Sequence, residues 1–283
     1  MTAGIPGLGF GIGPGSQPEE QDGTLSYMQM PSGMTVFSTA NLPEPEEAEG
    51  RDAGKSALHE VLRLLERTCD AGLPEAIDIT HLDWINRSFI DQVLGEGEVS
   101  IVAGSMYQAQ ESVLAGVWRV RICDAEGHLS RDLIEIGSFP QSILDIAFDQ
   151  ARYSIIIPER FGENVFNAPA LLPEINERVA KVDASSPPHV INLSLLPHTL
   201  EDLAMLGQVL GKGELVILSR GYGNCRVTNT GTRHVWWVQY YNSQDALILN
   251  SIEITRLPEV VCAAKEDLSD SAERLREILE VYA

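Results

Sequence analysis

The chain repeats part of itself, and this repeat limits the folds that are open to it. The stretch "QVLGEGEVSIVAG" at Gln92 is matched by "QVLGKGELVILSR" at Gln208. Further along, "VWRVRICDAEGHLSRDLIEIGSFP" from Val117 is matched by "VWWVQYYNSQDALILNSIEITRLP" from Val235. Because the two matches keep nearly the same spacing, the sequence predicts one unit of about 100 residues used twice.

Each unit predicts the same series of elements. An amphipathic helix and a short apolar segment come first, followed by a second helix, which in the second unit starts with a capping box at Thr199 and Asp202. A Gly-x-Gly turn leads into three strands joined by polar turns, and Pro140 or Pro258 then opens a helix. The predicted fold class is α+β, a tandem duplication of a helix–(short strand)–helix–three-stranded antiparallel sheet–helix unit.

Composition divides the chain into four parts. Residues 1–53 are rich in Gly, Pro and acid and predict a flexible tail, with "YMQMPSGM" at Tyr27 as a docking patch inside it. Residues 54–157 form the first predicted repeat and residues 189–283 the second. Residues 158–188, with five prolines, are the linker and the lead-in to the second repeat.

The chain is strongly acidic, with 41 Asp and Glu against 20 Lys and Arg and a formal charge of −21. Such a charge repels phosphate backbones and anionic lipids, so it disfavours nucleic acid and membrane surfaces as partners and favours basic protein segments. No apolar run approaches the roughly 18–20 residues that span a bilayer, and the basic start of an export signal is missing. We therefore expect a cytoplasmic protein without membrane insertion.

The cysteines predict neither a metal site nor a catalytic one. Cys69, Cys123, Cys225 and Cys262 are scattered, without a C-x-x-C pair or histidines at metal-ligand spacing. Cys225 and His234 are near enough in sequence to meet across a predicted loop as nucleophile and base. The first unit keeps neither residue, however, and no acid is placed to orient the histidine. We therefore expect no catalytic residue, no metal and no cofactor.

One predicted strand differs between the units on a single face. Strand side chains alternate between the two faces of a sheet. The face that is apolar in both units, and therefore core, carries Trp118, Val120 and Ile122 or Trp236, Val238 and Tyr240. The opposite face carries Arg119, Arg121 and Cys123 in the first unit and Trp237, Gln239 and Tyr241 in the second. An arginine face has thus become an aromatic one.

Neighbouring positions change in the same sense. Polar residues of the first unit (Ser100, Ser130, Arg131) are replaced in the second by Val216, Ile248 and Leu249. Such a face either packs against the other unit or a helix, or offers apolar surface to a partner. Gly221 and Gly223 lie between strands and not at a helix N-terminus, which disfavours a phosphate loop. Our candidate partner-binding residues are Trp237, Gln239, Tyr241, Val216, Ile248, Leu249, Gly221, Tyr222 and Gly223.

The second unit also resembles a known family. "VINLSLLPHTLEDLAMLGQVLGKGELVILSRGYGNCRV" from Val190, and "VWWVQYYNSQDALILNSIEITRLPEVVCAAKEDLSDSAERL" from Val235, are similar to the C-terminal region of the HupH/HyaF/HoxQ family. These are nickel–iron hydrogenase expression/formation (maturation) proteins. "GPGSQP" at Gly13 and "YMQMPSGM" are similar to the family's N-terminal motifs, so the resemblance covers nearly the whole chain.

The resemblance implies a cytoplasmic, chaperone-like accessory protein that is not an enzyme. It would bind the iron–sulfur small subunit of the hydrogenase before export, with other hydrogenase accessory proteins as further partners. The alternative, from another class, is a thiol-dependent or iron–sulfur-handling maturation enzyme that acts through Cys225 or Cys262. Since Cys262 is matched by Leu144 in the first unit, a buried structural thiol explains it at least as well.

Overall fold

The computed structural model describes residues 42–71, 73–183, 185–221 and 223–282. The flexible tail and the docking patch predicted within residues 1–41 lie outside these ranges. So does Tyr222, one of the candidate partner-binding residues.

The helices before the strands match between the two halves of the chain, but the predicted closing helices do not. A six-residue α-helix begins just after Pro140, whereas Pro258 opens only the 3₁₀ helix Glu259–Val261 and the last α-helix begins at Lys265. The α-helices are α1 (Asp52–Ala71), α2 (Trp84–Leu94), α3 (Gln141–Ile146), α4 (Ala168–Val179), α5 (Leu200–Leu210) and α6 (Lys265–Val281). Asp83 caps α2, and Thr199 forms the predicted capping box with Asp202 at the start of α5. Both helices end at a glycine with positive φ, Gly95 and Gly211, because other residues adopt that conformation at a cost. Within the described ranges, no helix is long and apolar enough to cross a membrane.

The strands form one antiparallel sheet. They are β1 (Glu75–Asp78), β2 (Val99–Ala103), β3 (Tyr107–Glu111), β4 (Val117–Cys123), β5 (Leu129–Ile136), β6 (His189–Asn192), β7 (Lys212–Ser219), β8 (Asn224–Thr230), β9 (Val235–Tyr241) and β10 (Leu247–Ile254). Their order across the 10-stranded sheet is β1-β5-β4-β3-β2-β7-β8-β9-β10-β6. This mixture of helices and a large antiparallel sheet confirms the α+β prediction.

Three strands after each Gly-x-Gly turn were predicted, and the structure has four: β2 to β5 in one half and β7 to β10 in the other. The missed strands are β3 and β8. Both carry polar side chains on one face, such as Gln108 and Gln110 on β3 and Thr228 on β8, which makes them resemble loops in the sequence. Each is nevertheless a central strand, hydrogen-bonded on both sides.

The two halves meet in the middle of the sheet. β2 pairs with β7, and Ile101 lies opposite Ile217. These two residues occupy the same place in the matching stretches that begin at Gln92 and Gln208. Equivalent residues that face each other in an antiparallel pair are related by a local two-fold axis through the sheet. The segments 54–157 and 189–283 therefore share a single sheet.

The two faces of this sheet are covered differently. The core face carries Trp118 and Trp236, both fully buried beneath α3 and the residues that follow it. This confirms which face of the aromatic strands is core. On the opposite face, here called the outer face, α1, α2 and α6 cover the end near β5, and α4 and α5 cover the end near β10.

The segment that links the tail to α1 is part of the folded structure. Residues 42–53 were assigned to the flexible tail, but Pro45–Ala48 forms a short 3₁₀ helix, and Ala48 is fully buried against α1 and α6. The Tyr282 hydroxyl donates a hydrogen bond of 2.8 Å to the carbonyl oxygen of Pro43. The acids of this segment face solvent while Pro43 and Ala48 are buried, which composition alone does not reveal.

Candidate partner-binding face

The middle of the outer face is left open by the helices. Asp91 of α2 contacts Arg119, which places α2 over β4, and Gly207 of α5 lies against the Trp237 ring, which places α5 over β9. Five strand spacings of about 4.8 Å put these helices about 24 Å apart. Because a helix is about 10 Å across, a trough roughly 14 Å wide remains between them. We call it the central trough.

The floor of the central trough is formed by β3, β2, β7 and β8. At its middle lie Val102, Val216 and Leu218, all partly exposed, with Val102 opposite Val216. Polar side chains flank this apolar stripe: Gln108 and Gln110 on one side, Arg226 and Thr228 on the other. Among the described residues, neither helix-side cluster of buried side chains includes an outer-face residue of these four strands. The floor could therefore be contacted by a partner.

The wall of the central trough that belongs to the first half, formed by α2 and β4, is held together by ion pairs between side chains. Arg119 is buried, and its Nε and Nη2 donate to the two carboxylate oxygens of Asp132 at 2.5 and 2.7 Å. Its Nη1 donates to Asp91 of α2 at 2.8 Å, and Arg121 donates to the same carboxylate at 3.2 Å. Burial raises the pKa of Asp91, and the two arginines oppose that shift. The network ties α2 to β4 and β5.

The opposite wall, formed by α5 and β9 of the second half, has an uncharged residue at each position of this ionic network. In the matched stretches, Trp237 aligns with Arg119, Asn250 with Asp132, and Gly207 with Asp91. The Trp237 indole N–H donates to Asn250 at 2.5 Å, and Gly207 of α5 lies beside the ring, where a Cβ would be 3.9 Å from the nearest ring atom. Trp237 is partly buried among the residues of α4 and α5. The packing of Trp237 against α5 therefore explains much of the change from arginine to tryptophan at this position.

Tyr241 lies toward the open side of the same wall. Its hydroxyl donates to Gln239 at 3.2 Å, and the Arg226 guanidinium lies 5.9 Å from its ring centroid, within cation–π range. Tyr241 and Gln239 are both partly exposed. Tyr241 pairs with Asn224 at the start of β8, so its ring lies at the end of the sheet where the β7–β8 turn is found.

That turn carries the candidate glycines. Gly221 and Gly223 are exposed, and Gly223 has a φ of 101°, a conformation that favours glycine. A side chain at Gly221 would begin 2.1 Å from the Glu98 carboxylate. Backbone conformation therefore explains Gly223, whereas at Gly221 the exposed Glu98 side chain could move aside to admit a side chain.

The remaining candidates do not all lie together. Ile248 is 60% exposed at the start of β10, near Tyr241. Leu249 lies opposite Tyr240, whose side chain packs on the core face, so the prediction that Leu249 belongs to the aromatic face was wrong. Val216 lies instead at the middle of the trough floor. Apart from Leu249, and from Tyr222 outside the described ranges, the candidate residues line one wall, part of the floor and one end of the trough. Their role in binding stays a prediction.

Sequence comparison missed an apolar corner beside these residues. Leu195, Leu196 and Leu200 are 79%, 38% and 80% exposed. The Ser194 hydroxyl accepts from the Asn250 N–H, as the Thr80 hydroxyl does from Asp132 N–H in the first half. When Ser194 is aligned with Thr80, "LLPHT" of the second half matches the shorter "HLD" of the first half. This alignment reveals the additional apolar residues of the corner.

Cys225 and His234 do not meet. The predicted loop between them is largely strand β8, and Cys225 pairs with Tyr240 while Asn229 pairs with Trp236. His234 lies beyond the far end of this hairpin, roughly 15–20 Å away at about 3.3 Å per residue. Burial raises the pKa of the Cys225 thiol to about 12, although a bond with Tyr240 opposes the shift.

The Cys262 thiol has a raised pKa like that of Cys225. Burial raises its pKa to about 12, and Glu259 and Glu111 add to the shift. Its sulfur lies 3.5 Å from the carbonyl oxygen of Pro258. Among the described residues, no group of three or more His, Cys, Asp or Glu is arranged to hold a metal ion.

We expect both thiols to resist alkylation in the folded chain. Only the thiolate attacks iodoacetamide, and a pKa near 12 leaves little thiolate near neutral pH. At about pH 8, Cys225 and Cys262 should be modified at least about 100-fold more slowly than in urea-unfolded chain, as measured on their peptides by mass spectrometry. Equal rates in the two states would contradict this and revive the thiol-dependent alternative.

Comparison with known proteins places the chain in a family. The model of "HupH hydrogenase expression protein, C-terminal conserved region" matches residues 53–152 and 165–282. The chain is 46% identical to the hydrogenase expression/formation protein HupH of Rhodobacter capsulatus, over 98% of this chain and 97% of that one. It is 43% identical to HoxQ of Cupriavidus necator, over 95% of each chain. The Hydrogenase-1 operon protein HyaF of Escherichia coli is 34% identical, over 96% of this chain and 95% of that one. The chain thus belongs to the HupH family of hydrogenase expression/formation proteins.

Proposed function

We propose that this protein binds the iron–sulfur small subunit of a nickel–iron hydrogenase in the cytoplasm and holds it before export, without catalysing a reaction. The observation that carries the proposal is the central trough, a sheet face that no described helix covers, with an apolar middle and a partly aromatic wall. Its width suits one helix or one extended segment of a client. The client itself is what the family resemblance implies.

The chemistry of the chain supports holding rather than catalysis. Both thiols of the alternative enzyme have a pKa raised to about 12, and Cys225 is remote from His234. The formal charge of −21 favours basic segments of a client and speeds their encounter. These features do not favour a thiol-dependent or iron–sulfur-handling maturation enzyme.

We also infer that the two halves are a tandem duplication whose outer faces have diverged. The common order of elements, the pairing of Ile101 with Ile217 and the matching stretches support this inference. On this view, the ionic wall of Arg119 retains a structural role. On the opposite wall, a Trp237 ring packed under α5 has replaced that network, and the partly exposed Tyr241 beside it is the surface that a client can contact.

The proposal is tested by truncating the exposed side of the wall. Tyr241→Ala should weaken binding of the purified small subunit at least about tenfold, because aromatic anchors commonly contribute about 2 kcal/mol or more. The thermal melt should change little, since the ring is partly exposed. Binding would be measured by titration, after mass spectrometry of proteins that co-purify with the tagged chain has shown the small subunit among them.

Two matched variants make the test specific. Arg121→Ala removes an exposed side chain from the opposite wall and should leave client binding unchanged. Trp237→Ala should lower the free energy of unfolding by about 2 kcal/mol, less than for a fully buried tryptophan, because α5 packs on the ring. Co-purification without any hydrogenase component, or full binding by the Tyr241 variant, would refute the proposal.

A further inference from the structure

The second-half corner of the outer face carries exposed apolar side chains that no described residue covers. They are Leu195, Leu196, Leu200, Leu247 and Ile248, each at least 38% exposed, and we call them the apolar ridge. The short helix Leu193–Leu195 lies on β10 through the bond between Ser194 and Asn250. Leu200 is the first residue of α5, only a few residues further along the chain. The ridge therefore gathers around the start of α5 and the start of β10.

The equivalent corner of the first half shows that the fold does not require such a surface. Trp84 and Leu129 are exposed there, at the places of Leu200 and Leu247. At two further positions the first half is polar: Ser130 aligns with Ile248, and His81 aligns with Leu195 when Thr80 is aligned with Ser194. The second half therefore adds exposed apolar side chains to the two positions that are apolar in both halves, and an enlarged exposed apolar surface indicates a contact.

Acidic side chains surround the ridge. Glu201 follows Leu200, and Asp245 is in the turn just before β10. Glu163 precedes Asn164, whose carbonyl oxygen accepts from the Thr199 hydroxyl at the start of α5. All three are exposed, and within the described residues none of them has a salt-bridge partner. A cation placed beside the ridge would meet three unpaired carboxylates.

We propose that the apolar ridge docks a partner segment that presents a row of leucine-like side chains flanked by lysine or arginine. The apolar row would cover the ridge, and the basic flanks would face Glu163, Glu201 and Asp245. A second copy of this chain fits poorly, because it would bring the same acids and a further charge of −21. An anionic lipid surface is repelled for the same reason. The proposal rests on the proposed function only in taking the segment to belong to the client.

Model peptides test this chemistry without the client. A fluorescein-labelled peptide of about 14 residues, with alternating leucine and serine between paired arginines, would be titrated against the full chain by fluorescence anisotropy. It should bind, and more weakly at high salt because the acids act at a distance. A peptide with glutamates in place of the arginines should bind at least about tenfold more weakly, and one with serine at every leucine should not bind.

Variants locate the site. Leu195→Ser with Leu200→Ser should weaken binding of the arginine-flanked peptide at least about tenfold, with an unchanged thermal melt because both side chains are exposed. Trp84→Ser, at the equivalent place in the first half and 71% exposed, should leave the peptide affinity unchanged. No binding of the arginine-flanked peptide, equal binding of the glutamate-flanked one, or full binding by the leucine variant would overturn the proposal. So would self-association in sedimentation that the leucine changes abolish, since a second copy would then be the occupant.

The outcome is separable from the test of the proposed function. If the chain binds the small subunit but does not bind the arginine-flanked peptide, the ridge proposal is refuted and the proposed function is not. Peptide binding that depends on Leu195 and Leu200 in a chain that captures no hydrogenase component would support the ridge and remove the proposed client.

Discussion

Replacing Asp132 by alanine is expected to lower the free energy of unfolding by about 3–5 kcal/mol, because the buried Arg119 then loses two of its hydrogen-bond acceptors and keeps only the exposed Asp91 as a carboxylate partner. Asp132 is 1% exposed and accepts both hydrogen bonds of the Arg119 fork, and Arg87 lies 3.6 Å from it. Arg119 itself is 7% exposed, so water cannot easily replace the lost partner. Urea denaturation near pH 7 measures the effect.

The second half supplies the matched control. Asn250 holds the equivalent position and accepts one bond from the Trp237 indole. Asn250→Ala should therefore cost only about 1 kcal/mol, the net value of a neutral hydrogen bond. Replacing both members of the ionic pair, with Arg119→Met and Asp132→Leu, should restore most of the stability that Asp132→Ala loses, because no buried charge remains unpaired. Equal losses for Asp132→Ala and Asn250→Ala would show that burial of the charge does not decide the effect.

The local features of the fold could be predicted because they depend on near neighbours in sequence. The face that is apolar in both halves identified Trp236 and Val238 as core residues, and the structure buries both. The capping box of Thr199 and Asp202 likewise depends on residues three apart. What failed depends on distant partners: β3 and β8 have polar side chains, and their neighbours in the sheet make them strands.

The candidate site shows the same limit. The change from Arg119 to Trp237 was visible in the sequence, but its meaning required the position of α5. Only the fold brings Gly207 and Asn250 to Trp237, and only then do three separate differences between the halves become one exchange of an ionic network for a packed ring. Leu195 and Leu196 were missed because the second half has a longer connection before α5, which shifts the alignment of the two stretches.

Glu111 should make the protein less stable as the pH rises, and Glu111→Gln should remove that dependence. The residue is 8% exposed, and its carboxylate receives a bond of 3.3 Å from the Gly116 N–H. Burial raises its pKa from 4.5 to about 7; the Gly116 bond opposes the shift, and Glu98 and Asp267 add to it. Because the folded pKa is the higher one, the folded state holds this proton more tightly than the unfolded state does.

The sign of the effect follows from this difference. The contribution of Glu111 to stability is fully present below about pH 4.5 and is lost as the pH rises to about 7. The shift corresponds to about 3 kcal/mol as an upper limit. Glutamine is neutral at every pH and can still accept from Gly116. Urea denaturation as a function of pH should therefore show the free energy of unfolding of the variant rising relative to that of the native chain between about pH 4.5 and 7. Above that range the difference should stay constant.

The exposed Glu126→Gln serves as the control and should give a curve parallel to that of the native chain. Parallel curves for Glu111→Gln as well would mean that the carboxyl group is ionised in the folded protein at the same pH as in the unfolded chain.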